Sequence, residues 1–190
     1  MNKALNTFAR QTEIPTIPEA DLEAAREAGA TIVTRNPELV RQFVAGDLTL
    51  GELEGIPKAD QYQMAEIGYA HFTDGNLEKA HEIFRGLLAL DPLDAYFQMV
   101  LGAIAKERQE LDAAVRYLSR SLELNGYSIP ARSMRAEVLI LRGELEAASA
   151  DLVHCLELDP EGQDPCTKRV RALASRVSEQ LVELTDRLSS

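Results

Sequence analysis

GYAHFTDGNLEKAHEIFRGLLALDP (68–92), GAIAKERQELDAAVRYLSRSLELNG (102–126) and AEVLILRGELEAASADLVHCLELDP (136–160) are one pattern written three times at a constant 34-residue offset. Gly68, Gly102 and Ala136 share one position. Leu77, Leu111 and Leu145 share the next, followed by Ala80, Ala114 and Ala148, then Phe84, Leu118 and Leu152. Each copy closes on a stop signal: Asp91-Pro92, Asn125-Gly126 and Asp159-Pro160.

A 34-residue period with small residues at fixed places is the signature of tetratricopeptide repeats, each a pair of antiparallel helices. The expected fold is all-α: a solenoid of three helix pairs over 61–94, 95–128 and 129–162. The small residue at 68, 102 or 136 lets the first helix approach its neighbour. The Ala at 80, 114 or 148 does the same for the second helix, and the Leu and Phe positions fill the space between them. Gly75 and Gly143 suit a left-handed turn between the two helices. Gln109 stands there in the middle copy and makes a less favourable turn. The closing Pro or Gly stops the second helix.

Working outward, Pro57 separates the repeats from an N-terminal region, residues 1–60. Ile14-Pro15 and Ile17-Pro18 force extended backbone. A helix is expected from about Pro18 to Ala28. Another starts near Asn36-Pro37, with Asn36 as cap, and carries Leu39, Val40, Phe43 and Val44 on one face before Gly46 ends it. A short third helix fits 49–55, with Leu50 and Leu53 inward. Beyond the repeats, residues 163–190 read as one helix capped by Asp164 with Pro165 at its first position. Val170, Leu173, Val177, Leu181, Leu184 and Leu188 form its apolar stripe. That stripe either covers the open face of the last repeat or makes a coiled-coil contact with another chain.

At 190 residues the chain is long enough for a core, with one or two domains expected. Aromatic residues make up 5% and Trp is absent, which suits an all-helical chain. The net charge of −11 argues against nucleic acid and against an anionic membrane surface. No apolar run reaches the length of a membrane span, and residues 1–10 lack the apolar core of a signal peptide, so a cytoplasmic location is expected. Cys155 and Cys166 are then free thiols rather than a disulfide. His71, His81 and His154 lack metal-ligand spacing, and no phosphate-cradling or nucleophile motif occurs. No metal, no cofactor and no enzymatic activity are expected.

What remains is a binding surface. The first helix of each repeat lines the inner wall of a solenoid. On the first such helix Met64, Ile67, Gly68 and His71 share one direction, and because Gly68 packs, this set is read as core. Tyr62, Ala65, Tyr69 and Phe72 form a separate apolar face about 130° away. Tyr96, Met99 and Lys106 take the corresponding places in the second repeat. Tyr62, Tyr69, Phe72 and Tyr96 therefore converge on the inner wall, a set of rigid aromatic rings suited to an extended peptide. Lys106 and Arg132 lie near this groove as partners for peptide carbonyls or carboxylates. The other reading makes these aromatics core residues covered by the N-terminal helices.

The segments FVAGDLTLGELEGI (43–56), GYAHFTDGNLEKAHEIFRGLLALDPLDAYFQMVLGA (68–103) and RGELEAA (142–148) resemble the class II type III secretion chaperones, over roughly 38–183. The resemblance implies a cytosolic protein that holds a translocator client. An extended client segment with spaced apolar anchors would lie along the concave groove, on Tyr62, Tyr69, Phe72, Tyr96 and Met99. It also implies a homodimer through the N-terminal helices. The pre-repeat segment departs from the family in reading Gly46-Asp47 where Gly-Gly is common. A scaffold that bridges partners in a bacterial assembly is the competing function. It would work through outer surfaces and the C-terminal stripe. Pro15-Thr16-Ile17-Pro18 resembles the segments such grooves bind, so the N-terminus is a further candidate occupant.

Overall fold

A computed structural model describes residues 37–188 of the chain. The expected helix near 18–28, the Asn36 cap and the Pro15–Pro18 segment lie outside the described residues. Residues 37–48 and 49–188 fall in two compact units. The first holds α1, Pro37–Ala45, which buries none of its residues. Leu39 and Val40 are half-buried, Phe43 and Val44 are exposed, and Gly46 ends the helix at φ +84°.

The second unit is built from α2 (Leu50–Leu53), α3 (Lys58–Thr73), α4 (Leu77–Leu90), α5 (Ala95–Glu107), α6 (Leu111–Leu124), α7 (Ile129–Arg142), α8 (Leu145–Leu158) and α9 (Thr167–Leu188). These are the tetratricopeptide pairs α3/α4, α5/α6 and α7/α8, flanked by a short helix before and a long one after. Caps explain the starts. Thr49 and Glu52 form a reciprocal capping box on α2, which holds the exposed Glu52 carboxyl below its usual range, chiefly through the Thr49 backbone N–H. The Asp94 carboxylate accepts from the N–H of Tyr96 and Phe97, and the Ser128 hydroxyl accepts from the N–H of Ala131.

The recurring small residues mark the closest approaches. A Cβ on Gly102 would lie 2.6 Å from Leu118 Cγ, and one on Gly68 would lie 2.8 Å from the Phe84 ring. In the third pair Ala136 and Leu152 are both fully buried in the same cluster. Ala80, Ala114 and Ala148 are likewise fully buried. Gly75 and Gly143 turn at φ +78°, and Gln109 is forced to φ +60° at the same point of the second pair. That conformation costs a residue with a Cβ on the order of 1 kcal/mol.

The long last helix takes the place of the first helix of a fourth pair. Gln61, Ala65 and Gly68 are buried on α3, with Phe72 half-buried beside them. Moved on by three periods, the last three become Thr167, Val170 and Ala174, of which the first two are fully buried and the third half-buried. Val170 and Val177 join Ala136, Leu152 and Cys155 in one cluster, with Leu173 and Leu181 against it. The stripe thus covers the last repeat as far as Leu181, and the side chains of Leu184 and Leu188 lie outside the described residues. The start differs from expectation. Asp164 accepts from the Cys166 N–H, and Pro165 sits in the turn before α9, which opens at Thr167. The buried Thr167 hydroxyl donates to Asp159, whose carboxylate also accepts from the N–H of Gly162, Gln163 and Asp164. These donors, the hydroxyl first, hold Asp159 down at about 2.

Candidate functional site

Curvature follows from which helices meet. First helices touch in succession, α3 with α5, α5 with α7 and α7 with α9. No comparable contact joins α4 to α6 or α6 to α8 among the described residues. The first helices are therefore crowded on the inside of the curve, and their free flank is the inner wall.

On α3 the direction of burial differs from the sequence expectation. Ala65 is 1% exposed and belongs to the core with Phe84, Phe97 and Leu101, whereas Met64 and Ile67 are 43% and 50% exposed. Gly68 packs, but it sits at the edge of the buried face and not at its centre. At 100° per residue the face centres between Gln61, Ala65 and Phe72. Tyr62 and Tyr69 then flank it on one side, roughly 60–80° away, and Met64 and Ile67 flank it on the other. In α5 the counterparts of Met64 and Ile67, Gln98 and Leu101, are buried.

The aromatic side is a built surface. Tyr62 and Tyr69 are 43% and 47% exposed. Tyr62 is fixed at both ends: its ring lies 5.6 Å from that of Phe97 and 6.2 Å from that of Tyr96, and its hydroxyl donates to Asp94 Oδ2 at 2.9 Å. Burial and then this acceptor raise its pKa. Tyr96 rests edge-on against Phe84 at 6.2 Å, and burial raises its pKa as well. Tyr69 and Phe72 pair at 5.9 Å, with Phe72 half-buried against the core. Lys58 locks the base of the wall. Its ammonium bonds Asp91 and reaches Asp94 at 3.2 Å while standing 5.7 Å over the Phe97 ring. Desolvation works to lower its pKa, yet the two carboxylates hold it above the usual value. Between Tyr62 and Tyr96 the wall opens into a cavity of about 230 Å3, floored by Ala65 and rimmed by Glu66.

Further along the groove the chemistry changes. Met99 is half-buried and packs among Leu118, Ala105 and Val138. Lys106, expected to face a ligand, is engaged by Glu137 Oε2 at 3.0 Å, and the other oxygen of Glu137 holds Arg169 of α9 at 2.9 Å. Arg132 does not meet the groove. It bonds Asp151 at 3.3 Å and the Gly126 carbonyl at 2.8 Å, beside Arg135, which takes both Asp151 oxygens at 2.7 Å and reaches the Ser119 hydroxyl at 3.0 Å. Asp151 first of all raises the pKa of Arg135. Asp151 lies on the second helix of the third pair, so this network ties α7 to its own partner as well as to α6. The sequence reading missed it because the counterparts of these arginines in the other repeats are Met64, Ile67, Gln98 and Leu101. The wall is thus aromatic at its first end and ion-paired at the other.

Among the described residues no three His, Cys, Asp or Glu side chains are grouped to hold a metal, and no helix is long and apolar enough to cross a membrane. Cys155 and Cys166 are free, and burial pushes the Cys155 thiol up to about 11, so it is an inert core residue.

No family model matches the chain. A curated relative, low calcium response locus protein H of Yersinia pestis, is 26% identical over 144 residues, which are 75% of this chain and 82% of the relative. The type III secretion translocator chaperone SycD of Yersinia enterocolitica superposes with a TM-score of 0.63 at 24% identity, over 66% of this chain and 88% of SycD. SycD in complex with a peptide of the translocator YopD superposes with a TM-score of 0.60, at 24% identity over 66% and 97%. In sequence and in fold the chain resembles the type III secretion translocator chaperones, and it carries their tetratricopeptide solenoid.

Proposed function

We propose that this protein is a cytosolic chaperone that holds an extended apolar segment of a secreted, translocator-type client along its inner wall. The observation that carries the reading is the half-exposed, rigidly seated aromatic wall of Tyr62, Tyr69, Phe72 and Tyr96. Rings already fixed by their neighbours lose little further freedom on binding, so they act as anchors. Met99 continues the apolar track. Lys106 serves as an internal pillar through Glu137 and not as a ligand to the peptide. Shielding an apolar segment in this way needs neither nucleotide nor catalysis, and the chain works as a binding protein. The complex of SycD with a YopD peptide supports this choice of client. The exposed Phe43 and Val44 of α1 support a homodimer made through the N-terminal helices.

The test is capture from the native cytosol with wild type and Tyr69→Ala side by side, identified by mass spectrometry. One secreted protein with a membrane-active segment should accompany wild type and fade with the variant. Equal partners on both would move the working surface elsewhere and favour the scaffold reading. The second place to mutate would then be the cavity of about 340 Å3 between Ile140, Leu145 and Arg187.

A further inference from the structure

The cavity between Tyr62 and Tyr96 sets one carboxylate at the edge of an otherwise apolar and aromatic lining. Its floor is the Ala65 methyl, its sides are two tyrosine rings with centroids 6.2 Å apart, and its rim is the Glu66 carboxylate. Glu66 is exposed and makes no ion pair among the described residues. Lys58, one turn before Tyr62 on the same helix, is already engaged by Asp91 and Asp94 and turned onto Phe97. Two tyrosine faces and one unpaired carboxylate form a surface of negative potential, in a chain of net charge −11.

We propose that this cavity takes a basic side chain of the client, an arginine or lysine, and not one of its apolar anchors. The methylene stem lies on the tyrosine rings while the cation reaches Glu66. The same aromatic cluster already holds one cation in this way, since Lys58 sets its ammonium over the Phe97 ring with carboxylates beyond it. The far end of the groove is different. There Lys106 and Arg169 both reach the carboxylate of Glu137, and Lys106 also stands 3.8 Å from Glu107, so the charges at that end are balanced. A client segment with a basic residue at the end that meets the cavity and a neutral one at the other would therefore be held in one direction only. This inference rests on the inner wall being the client surface, and it adds a charge requirement that the wall's aromatic character does not impose.

The experiment needs no client. The full chain, labelled with 15N, is titrated with Nα-acetyl-arginine N-methylamide, with its neutral isostere Nα-acetyl-citrulline N-methylamide, and with Nα-acetyl-norleucine N-methylamide. Amide shifts at Tyr62, Glu66 and Tyr96 are followed. The arginine probe should bind roughly 3- to 30-fold more tightly than citrulline, from an exposed ion pair and a cation–π contact together. Glu66→Gln, a change at an exposed position, should reduce that preference to the cation–π part. Norleucine binding as well as arginine, or no shift with any probe, overturns the proposal. Either result leaves client capture through Tyr69 standing. Conversely, arginine selectivity with client capture indifferent to Tyr69 would preserve the pocket and remove the groove.

Discussion

Replacing Gly102 by alanine tests how closely the helices of a pair approach. In an exposed helix interior, Gly→Ala stabilises by about 1 kcal/mol, because the flexible glycine is costly to order. At Gly102 the new methyl would stand 2.6 Å from Leu118 Cγ, 2.9 Å from its Cδ2 and 3.4 Å from its backbone nitrogen. Leu118 is fully buried, so its branch point has nowhere to retreat and the helices must part. Overpacking of this kind costs about 1–3 kcal/mol, and contact with a branch point and with backbone puts this case at about 3. The net expectation is a loss of about 2 kcal/mol. Gly86 is the control: it lies inside α4 with nothing within 4 Å of its would-be Cβ, so Gly86→Ala should gain about 1 kcal/mol. Urea unfolding followed by circular dichroism at 222 nm reads both, provided the slope is unchanged. If Gly102→Ala proves as stabilising as Gly86→Ala, the close approach of α5 to α6 is wrong.

Three further outcomes follow from other parts of the fold. Gln109→Gly relieves a left-handed backbone at φ +60° and should stabilise by about 1 kcal/mol in the same assay, the reverse of the usual effect of adding glycine. Asp151→Ala leaves Arg132 and Arg135 without their shared carboxylate and should cost about 3 kcal/mol, seen as a lower urea midpoint. Asp159 carries a folded pKa of about 2 against 3.8 unperturbed. Its contribution is complete above the unfolded value and disappears as pH falls through the folded one. Thermal melts of wild type should therefore lose stability between about pH 4 and pH 2, and Asp159→Asn should be flatter across that window.

Much of this fold is written in the period. The three pairs, the turns at Gly75 and Gly143, the strained Gln109 and the buried Ala80, Ala114 and Ala148 all follow from residues recurring at a fixed offset. Helix direction is less legible. Gly68 announces a close approach, but a residue without a side chain marks the edge of a buried face as readily as its centre. Hence Ala65 and Met64 exchanged roles between sequence and structure. The last helix continues the period at Thr167 and Val170, yet Val170 is larger than the residues it follows, so its kinship with α3, α5 and α7 is hidden in the sequence. The groove's aromatic half was legible because Tyr62 and Tyr69 share a flank, with Phe72 beside them. Its charged half was not, since Glu137, the partner of Lys106, lies 31 residues away on another helix, and Arg132 is drawn out of the groove by Asp151, 19 residues away.

The central claim is that the aromatic inner wall binds the client and is not merely core. Titration calorimetry of the captured client segment against wild type, Tyr69→Ala and the outer-helix control Val153→Ala, with a thermal melt of each, tests it most directly. Tyr69→Ala should weaken binding by about 1–3 kcal/mol. Its melting temperature should stay at the wild-type value, and Val153→Ala should bind like wild type. Unchanged affinity in Tyr69→Ala, or an affinity loss matched by an equal loss of stability, would contradict the account.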